Sequence, residues 1–468
     1  MSHILFPSLL PRRLSYALWW LVVGMVLWLL LYRVSVCGIN VAGDGLVYLK
    51  QAHLDVLSLE FWTAVRRPLY PLFLLVTGYA PVVAVVAQSV CYVLATALFV
   101  RVVVWQAPVA VWLRVGLSLM AACLVLDQRM SFMAPQIMSE TLYYTLIAAL
   151  LLAILGPLAA LRMRMLLGLT LAIVLLRGEG FIIALLLLPA MLWRVRQENA
   201  DLAPSRSVVI ISACVMFAVL AMAHMSQSKL TVHNAVRGMN VAFIRAAQDP
   251  NLLAFYADKG MPIAEWEVRK GWSFFEQERV KPGFKQGDML YDWLTQKGVS
   301  VYAEYILKHP WKAFDNVGGG TQDFRRYDAY RADSTLRDAL SNAYVGQVAH
   351  YRLVAERMPW LERFIMELSG FGFWLLTAGF LSILALVRWP ETRDRAVLLG
   401  LVGGALWAGS TVAYLADALD GLRHQSPYVF ALNLWMLAVV IEWAKVPAML
   451  RARATARPEA QNAAMWER

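Results

Sequence analysis

The amino-acid sequence predicts an all-α, polytopic membrane protein. Hydrophobic residues make up 60% of the 468-residue chain, well above the roughly half found in soluble domains. Charged residues contribute only 16%. Apolar runs of about 20 residues, the length that crosses a bilayer, recur from one end to the other. The net charge of +11 would suit a nucleic-acid partner in a soluble chain. Here the excess lies in short loops between apolar runs and in the tail, which is the distribution that membrane topology requires. No nucleic acid is therefore expected.

Ten spans are expected, at 14–36, 81–105, 108–126, 138–156, 163–177, 179–193, 207–224, 366–388, 396–416 and 428–446. The first follows Arg12 and Arg13, is longer than a signal-peptide core and lacks a small-residue cleavage site, so it reads as a retained signal anchor. The fifth and sixth are short and separated only by Arg177-Gly178-Glu179-Gly180, which leaves one long helix or a re-entrant pair as the alternative. With the N-terminus inside, Arg162/Arg164, Arg194/Arg196/Arg206, Arg388/Arg393/Arg395 and Lys445/Arg451/Arg453/Arg457 all fall on the cytoplasmic side. That arginine distribution supports ten spans with both termini inside.

The resulting organisation has four parts. Residues 1–224 form an N-terminal membrane module carrying a first outer loop at 37–80. Residues 225–365 form a mostly helical outer segment. Residues 366–446 supply the last membrane helices, and 447–468 form a basic inner tail that suits anionic lipid. In the outer segment, SVYAEYILK reads as a helix that must stop at His309-Pro310, because the residue before a proline is driven out of helical conformation. Gly318-Gly319-Gly320 reads as a hinge or turn and not a phosphate loop, since no strand precedes it and no lysine follows. Cys91, Cys123 and Cys214 sit in apolar runs and Cys37 stands alone, so neither a disulfide framework nor a cysteine metal site is expected.

The chemistry is concentrated in the first outer loop. Leu46, Leu49, His53, Val56 and Leu57 recur at helical spacing, with Tyr48, Lys50, Gln51 and Asp55 opposite, so a short amphipathic helix lying on the membrane surface is expected. Asp44, between Gly43 and Gly45, reads two ways. It is either the helix N-cap or an unneutralised carboxylate at the membrane edge that takes a proton from a substrate hydroxyl. Arg66-Arg67-Pro68-Leu69-Tyr70-Pro71 follows. Its arginines read either as interfacial anchors or as guanidinium forks for a lipid-linked phosphate.

An acidic residue soon after the first span, a surface helix and then Arg67-Pro68-Leu69-Tyr70-Pro71 resemble the GT-C superfamily of polyprenyl-phosphate-sugar-dependent glycosyltransferases. That group includes protein mannosyltransferases, aminoarabinose transferases and arabinofuranosyltransferases. Ser139-Glu140-Thr141-Leu142-Tyr143, Leu176-Arg177-Gly178-Glu179-Gly180 and Arg423-His424 before Pro427 extend the resemblance over about 14–193 and 366–446. Gly178 stands where such proteins more often carry proline.

The resemblance implies a GT-C fold and an inverting enzyme at the outer face of a bacterial inner membrane. Its donor would be a sugar on a polyprenyl phosphate, its acceptor a glycan, lipid or protein, and its surroundings membrane lipid. Asp44 would be the base. Arg423, Arg67, Lys50 and His424 would hold the donor phosphate. Tyr48, Glu140, Arg177 and Tyr70 would meet acceptor or sugar, with Glu140 alternatively an ion-pair partner of Arg177. A single carboxylate at Asp44 does not favour a divalent metal, which wants several oxygen ligands, so no cofactor is expected. A lipid-linked-sugar flippase and an O-antigen ligase or polymerase are the competing readings.

Overall fold

The computed structural model describes residues 12–39, 41, 44–64, 66–107, 109–126, 134–156, 162–177, 180–198, 236, 238–247, 249–271, 277–310, 372–416 and 426–447. Helix is the only regular secondary structure among them. The all-α expectation holds for those residues.

Three long helices begin the apolar part: α1 (Arg12–Cys37), α5 (Pro81–Val103) and α6 (Val111–Leu126). Between the first two lie three short ones, α2 (Asp44–Ala52), α3 (Leu59–Thr63) and α4 (Leu69–Val76). Then come α7 (Glu140–Leu155), α8 (Arg162–Leu176) and α9 (Gly180–Glu198). The fifth and sixth expected spans are therefore two helices. A Cβ on Gly180 would stand 2.3 Å from the carbonyl oxygen of Ile173, so only glycine lets the chain reverse this tightly.

Pro81–Val103 and Ser426–Pro447 are long and apolar enough to cross a membrane by length and composition. Val111–Leu126 and Glu140–Leu155 are among the shorter apolar helices. Large apolar side chains also face outward: Trp20, Leu21 and Trp28 on α1, and Val82 on α5, are all more than half exposed. The expected span at 207–224, the glycine run at 318–320 and the tail beyond Pro447 lie outside the described residues.

One continuous apolar core joins the two ends of the chain. In its centre Tyr92 of α5, Tyr144 of α7 and Phe430 pack with ring centroids 5.3–5.6 Å apart. The Tyr144 hydroxyl is hydrogen bonded to Ser426 Oγ at 2.6 Å, linking residues 282 apart in sequence. The last helices are α10 (Gly372–Val387), α11 (Pro390–Ala416) and α12 (Ser426–Pro447). Trp435 of α12 is fully buried against Gly379 and Gly403, where added Cβ atoms would come within 3.0 and 2.4 Å of its ring. Its indole donates to the Leu399 carbonyl at 2.7 Å, so the apolar wedge leaves no stranded N–H. At the opposite end of the same helix, Glu442 accepts from Arg395 Nε at 3.1 Å and Lys445 Nζ at 2.8 Å. Arg395 also donates to the backbone carbonyl of Leu155.

A second core belongs to residues 239–305 and includes Phe243, Tyr256, Trp266 and Leu290. Two of its helices start on carboxylate caps. Asp249 accepts from the Asn251 and Leu252 amides, and Asp288 from those of Leu290 and Tyr291. The helix Val299–Lys308 ends at His309 before Pro310, as the proline requires.

Candidate functional site

The short helix α2 sets the site. Leu46 is 52% exposed, while Tyr48 and Gln51, expected on the face opposite the leucines, are buried. The polar and aromatic stripe at Asp44, Tyr48 and Gln51, spaced i, i+4, i+7, faces the protein.

Close approach makes that orientation possible. A Cβ on Gly45 would lie 2.9 Å from the Ile137 carbonyl oxygen, so α2 lies directly against the backbone preceding α7. Gly45 therefore serves packing. The Tyr48 hydroxyl is hydrogen bonded to Ser139 Oγ at 3.0 Å across that contact. The Tyr48 ring meets Tyr70 edge-on at 4.8 Å. Tyr70 in turn donates to Gln88 Oε1 at 3.0 Å, and the Gln88 amide donates to the carbonyls of Ala134 and Gln136. A polar ladder thus fixes α2, α4, α5 and the 134–139 segment together.

Two ion pairs flank Tyr48. Asp44, the first residue of α2, pairs with Arg66, and each side chain retains 23% exposure. This corrects the expectation of an unneutralised carboxylate. The guanidinium of Arg66 lies 5.6 Å from the Tyr48 ring centroid, within cation–π range. Arg67, one of the four residues expected at the donor phosphate, is half-buried next to it. The second pair is Glu140 with Arg177, 2.6 Å apart and 1% and 6% exposed. Glu140 opens α7, and Arg177 follows α8 with its guanidinium 5.5 Å from the Tyr143 ring. Between the pairs, burial pushes the Tyr48 phenol above its ordinary range. Glu140 adds to that rise, while Arg66, Arg177 and the Ser139 hydrogen bond oppose it. Burial raises Tyr70 further, helped by Tyr48 and Glu140.

The structure therefore brings Asp44, Tyr48, Tyr70, Glu140 and Arg177 into one neighbourhood. Tyr70 is fully buried and holds the ladder together, so its place is behind the site rather than on an open face. Lys50 is on the exposed side of α2. Arg423, His424 and Glu179 lie outside the described residues. Sequence reasoning missed Arg66 as the partner of Asp44, and gave no role to Gln51, Ser139 or Gln88. The i, i+7 spacing of Asp44 and Gln51 was the available signal for Gln51. Among the described residues no cluster of three His, Cys, Asp or Glu side chains is placed to hold a metal ion.

No family model, curated protein or solved structure matches this chain. The functional reading stands on the residues themselves.

Proposed function

We propose that the protein is a GT-C-type glycosyltransferase that moves a sugar from a polyprenyl phosphate to a hydroxyl acceptor at the outer face of a bacterial inner membrane. In this reading the chain is polytopic, with ten spans and both termini in the cytoplasm. One observation carries it: a partly exposed Asp44–Arg66 pair and a buried Glu140–Arg177 pair flank Tyr48 beside the apolar core of the helical bundle. Ionisable groups are costly in such surroundings and mark functional sites there.

The Asp44–Arg66 pair gives the reaction an order. While Arg66 neutralises it, Asp44 is a poor proton acceptor. A donor phosphate arriving at the site competes for the Arg66 guanidinium, whose fork suits phosphate oxygens. Asp44 is thereby released as the donor docks. The acceptor oxygen then attacks the anomeric carbon from the face opposite the phosphate, and Asp44 takes the hydroxyl proton. The bond from the anomeric carbon to the phosphate oxygen breaks with its electron pair on the phosphate, and configuration inverts. Arg66 stabilises the charge that the departing polyprenyl phosphate gains. Holding both substrates in line supplies much of the remaining acceleration.

The test is transfer from a panel of radiolabelled undecaprenyl-phosphate sugars into membranes carrying the native chain or Asp44→Asn. Asn keeps the shape but cannot accept the proton, so transfer should fall by about 10²-fold or more with donor binding retained. Full activity in Asp44→Asn removes Asp44 as base. The buried Glu140–Arg177 pair favours one competing reading, a transporter of the same lipid-linked sugars. Movement of donor across sealed vesicles without any transfer would select that reading.

A further inference from the structure

Gln88 is a fully buried amide in an apolar stretch of α5, and the transfer chemistry above does not use it. The other buried polar side chains of α5 return to their own helix: Ser89 donates to the Val85 carbonyl at 2.7 Å and Thr96 to that of Tyr92 at 3.0 Å. Gln88 reaches outward instead. Its Oε1 accepts from the Tyr70 hydroxyl of α4 at 3.0 Å. Its Nε2 donates to the carbonyls of Ala134 at 3.0 Å and Gln136 at 2.8 Å. Two carbonyl acceptors and one hydroxyl donor leave no doubt which end of the amide is which. None of these bonds goes to Asp44 or Arg66.

Both groups that Gln88 grips support α2. The Ala134 and Gln136 carbonyls lead directly into Ile137 and Ser139. Gly45 rests on the Ile137 carbonyl oxygen, where an added Cβ would stand at 2.9 Å, and the Tyr48 hydroxyl is bonded to Ser139 Oγ at 3.0 Å. Tyr70 braces the Tyr48 ring edge-on at 4.8 Å. Gly45 is the chain neighbour of Asp44, and Tyr48 lies one helical turn beyond it on the same inward stripe. Losing the amide strands two carbonyls and a hydroxyl in an apolar surrounding, so the floor and the brace must shift to find new partners. Whatever moves them moves the first turn of α2.

We infer that Gln88 is a positioning residue for the transfer reaction: from α5 it clamps the 134–139 floor and the Tyr70 brace, and so sets where Asp44 stands opposite Arg66. This role rests on the transferase reading and involves no contact between Gln88 and substrate. A reacting group displaced by about 1 Å can lose up to about 10²-fold in rate, which is why a residue behind the site governs the base in front of it.

The experiment compares the native full chain with Gln88→Met in nanodiscs, by hydrogen–deuterium exchange and by transfer from undecaprenyl-phosphate sugars. Met keeps the size of the side chain and makes none of the three bonds. Amide protection across α2 should fall about 10-fold or more while that of α12 is unchanged. The transfer rate kcat should fall about 10-fold or more. Added to Asp44→Asn, Gln88→Met should cost less than about a further threefold, because a base that is absent cannot be misplaced. A merely structural role would instead lower protection in both helices and multiply with the Asp44→Asn loss. Unchanged protection of α2, equal loss in α2 and α12, or losses that multiply would each overturn the inference. Should Gln88→Met not fold, Tyr70→Phe removes one of the three bonds and takes its place, with the same pattern expected at about threefold. Exchange does not need turnover, so selective loosening of α2 without native transfer from any donor would sink the transferase reading and leave the clamp standing. Native transfer with α2 protection unchanged in the variant would do the reverse.

Discussion

The Glu140–Arg177 pair makes a quantitative demand on stability. At 2.6 Å, with 1% and 6% exposure, the gross attraction is on the order of 6 kcal/mol at an effective dielectric of about 20. Desolvation of both groups consumes most of that, so the intact pair contributes little net stability. Removing one partner is a different matter, because a buried charge is then stranded, at a cost of about 3–5 kcal/mol. The two single variants should also differ. In Arg177→Met the stranded carboxylate can take up a proton and become neutral, and Met keeps contact with the Tyr143 ring. In Glu140→Gln the guanidinium cannot lose its charge. Glu140→Gln should therefore be the worse of the two, and combining it with Arg177→Met should recover most of the loss. Equilibrium unfolding by SDS titration in mixed micelles measures all four proteins of the cycle. Single variants within about 0.5 kcal/mol of native would refute the buried-pair reasoning. Losses that simply add in the double variant would refute the coupling.

Three further outcomes follow from the same geometry. Gly180→Ala places a Cβ 2.3 Å from the Ile173 carbonyl and should destabilise by about 1–3 kcal/mol in the same titration, with Gly45→Ala, at 2.9 Å from Ile137, milder but lowering activity through α2. Burial raises the Tyr48 phenol above its ordinary value of 10.0, so above that pH the unfolded chain releases a proton that the folded chain keeps. Stability must then fall as pH rises past about 10, and Tyr48→Phe should flatten that alkaline loss. Trp435→Phe removes the indole bond to Leu399 and should cost about 1–3 kcal/mol, since the ring also loses buried area in a tight slot.

The helices were legible in the sequence wherever apolar length and a breaker coincide. Runs expected at 81–105, 108–126, 138–156 and 428–446 correspond to helices at Pro81–Val103, Val111–Leu126, Glu140–Leu155 and Ser426–Pro447. The helix expected to begin at 396 starts at Pro390, because proline at the first turn favours helix entry despite the charges around it. The inward pairing of Tyr48 and Gln51 on α2 was not legible. It depends on Ser139 and on the carbonyls of Phe61 and Arg66, which lie outside the helix, and periodicity ranks side chains by hydropathy alone. Asp44 and the arginine doublet were recognisable as chemistry-bearing residues. Which of Arg66 and Arg67 reaches back 22 residues to Asp44 depends on the turn before α4, and local sequence does not encode that choice.

The contacts between the two ends of the chain bear on its biogenesis. The hydroxyl of Tyr144 and the carbonyl of Leu155 find partners in Ser426 and Arg395, hundreds of residues downstream. Phe430 completes the aromatic cluster begun by Tyr92 and Tyr144. During synthesis the early helices emerge long before those partners exist, with polar atoms and ring faces still uncovered. A chain ending at residue 425 would lack Ser426 and Phe430, leaving the Tyr144 hydroxyl and the ring faces of Tyr92 and Tyr144 bare, while Arg395 would still be present for Leu155.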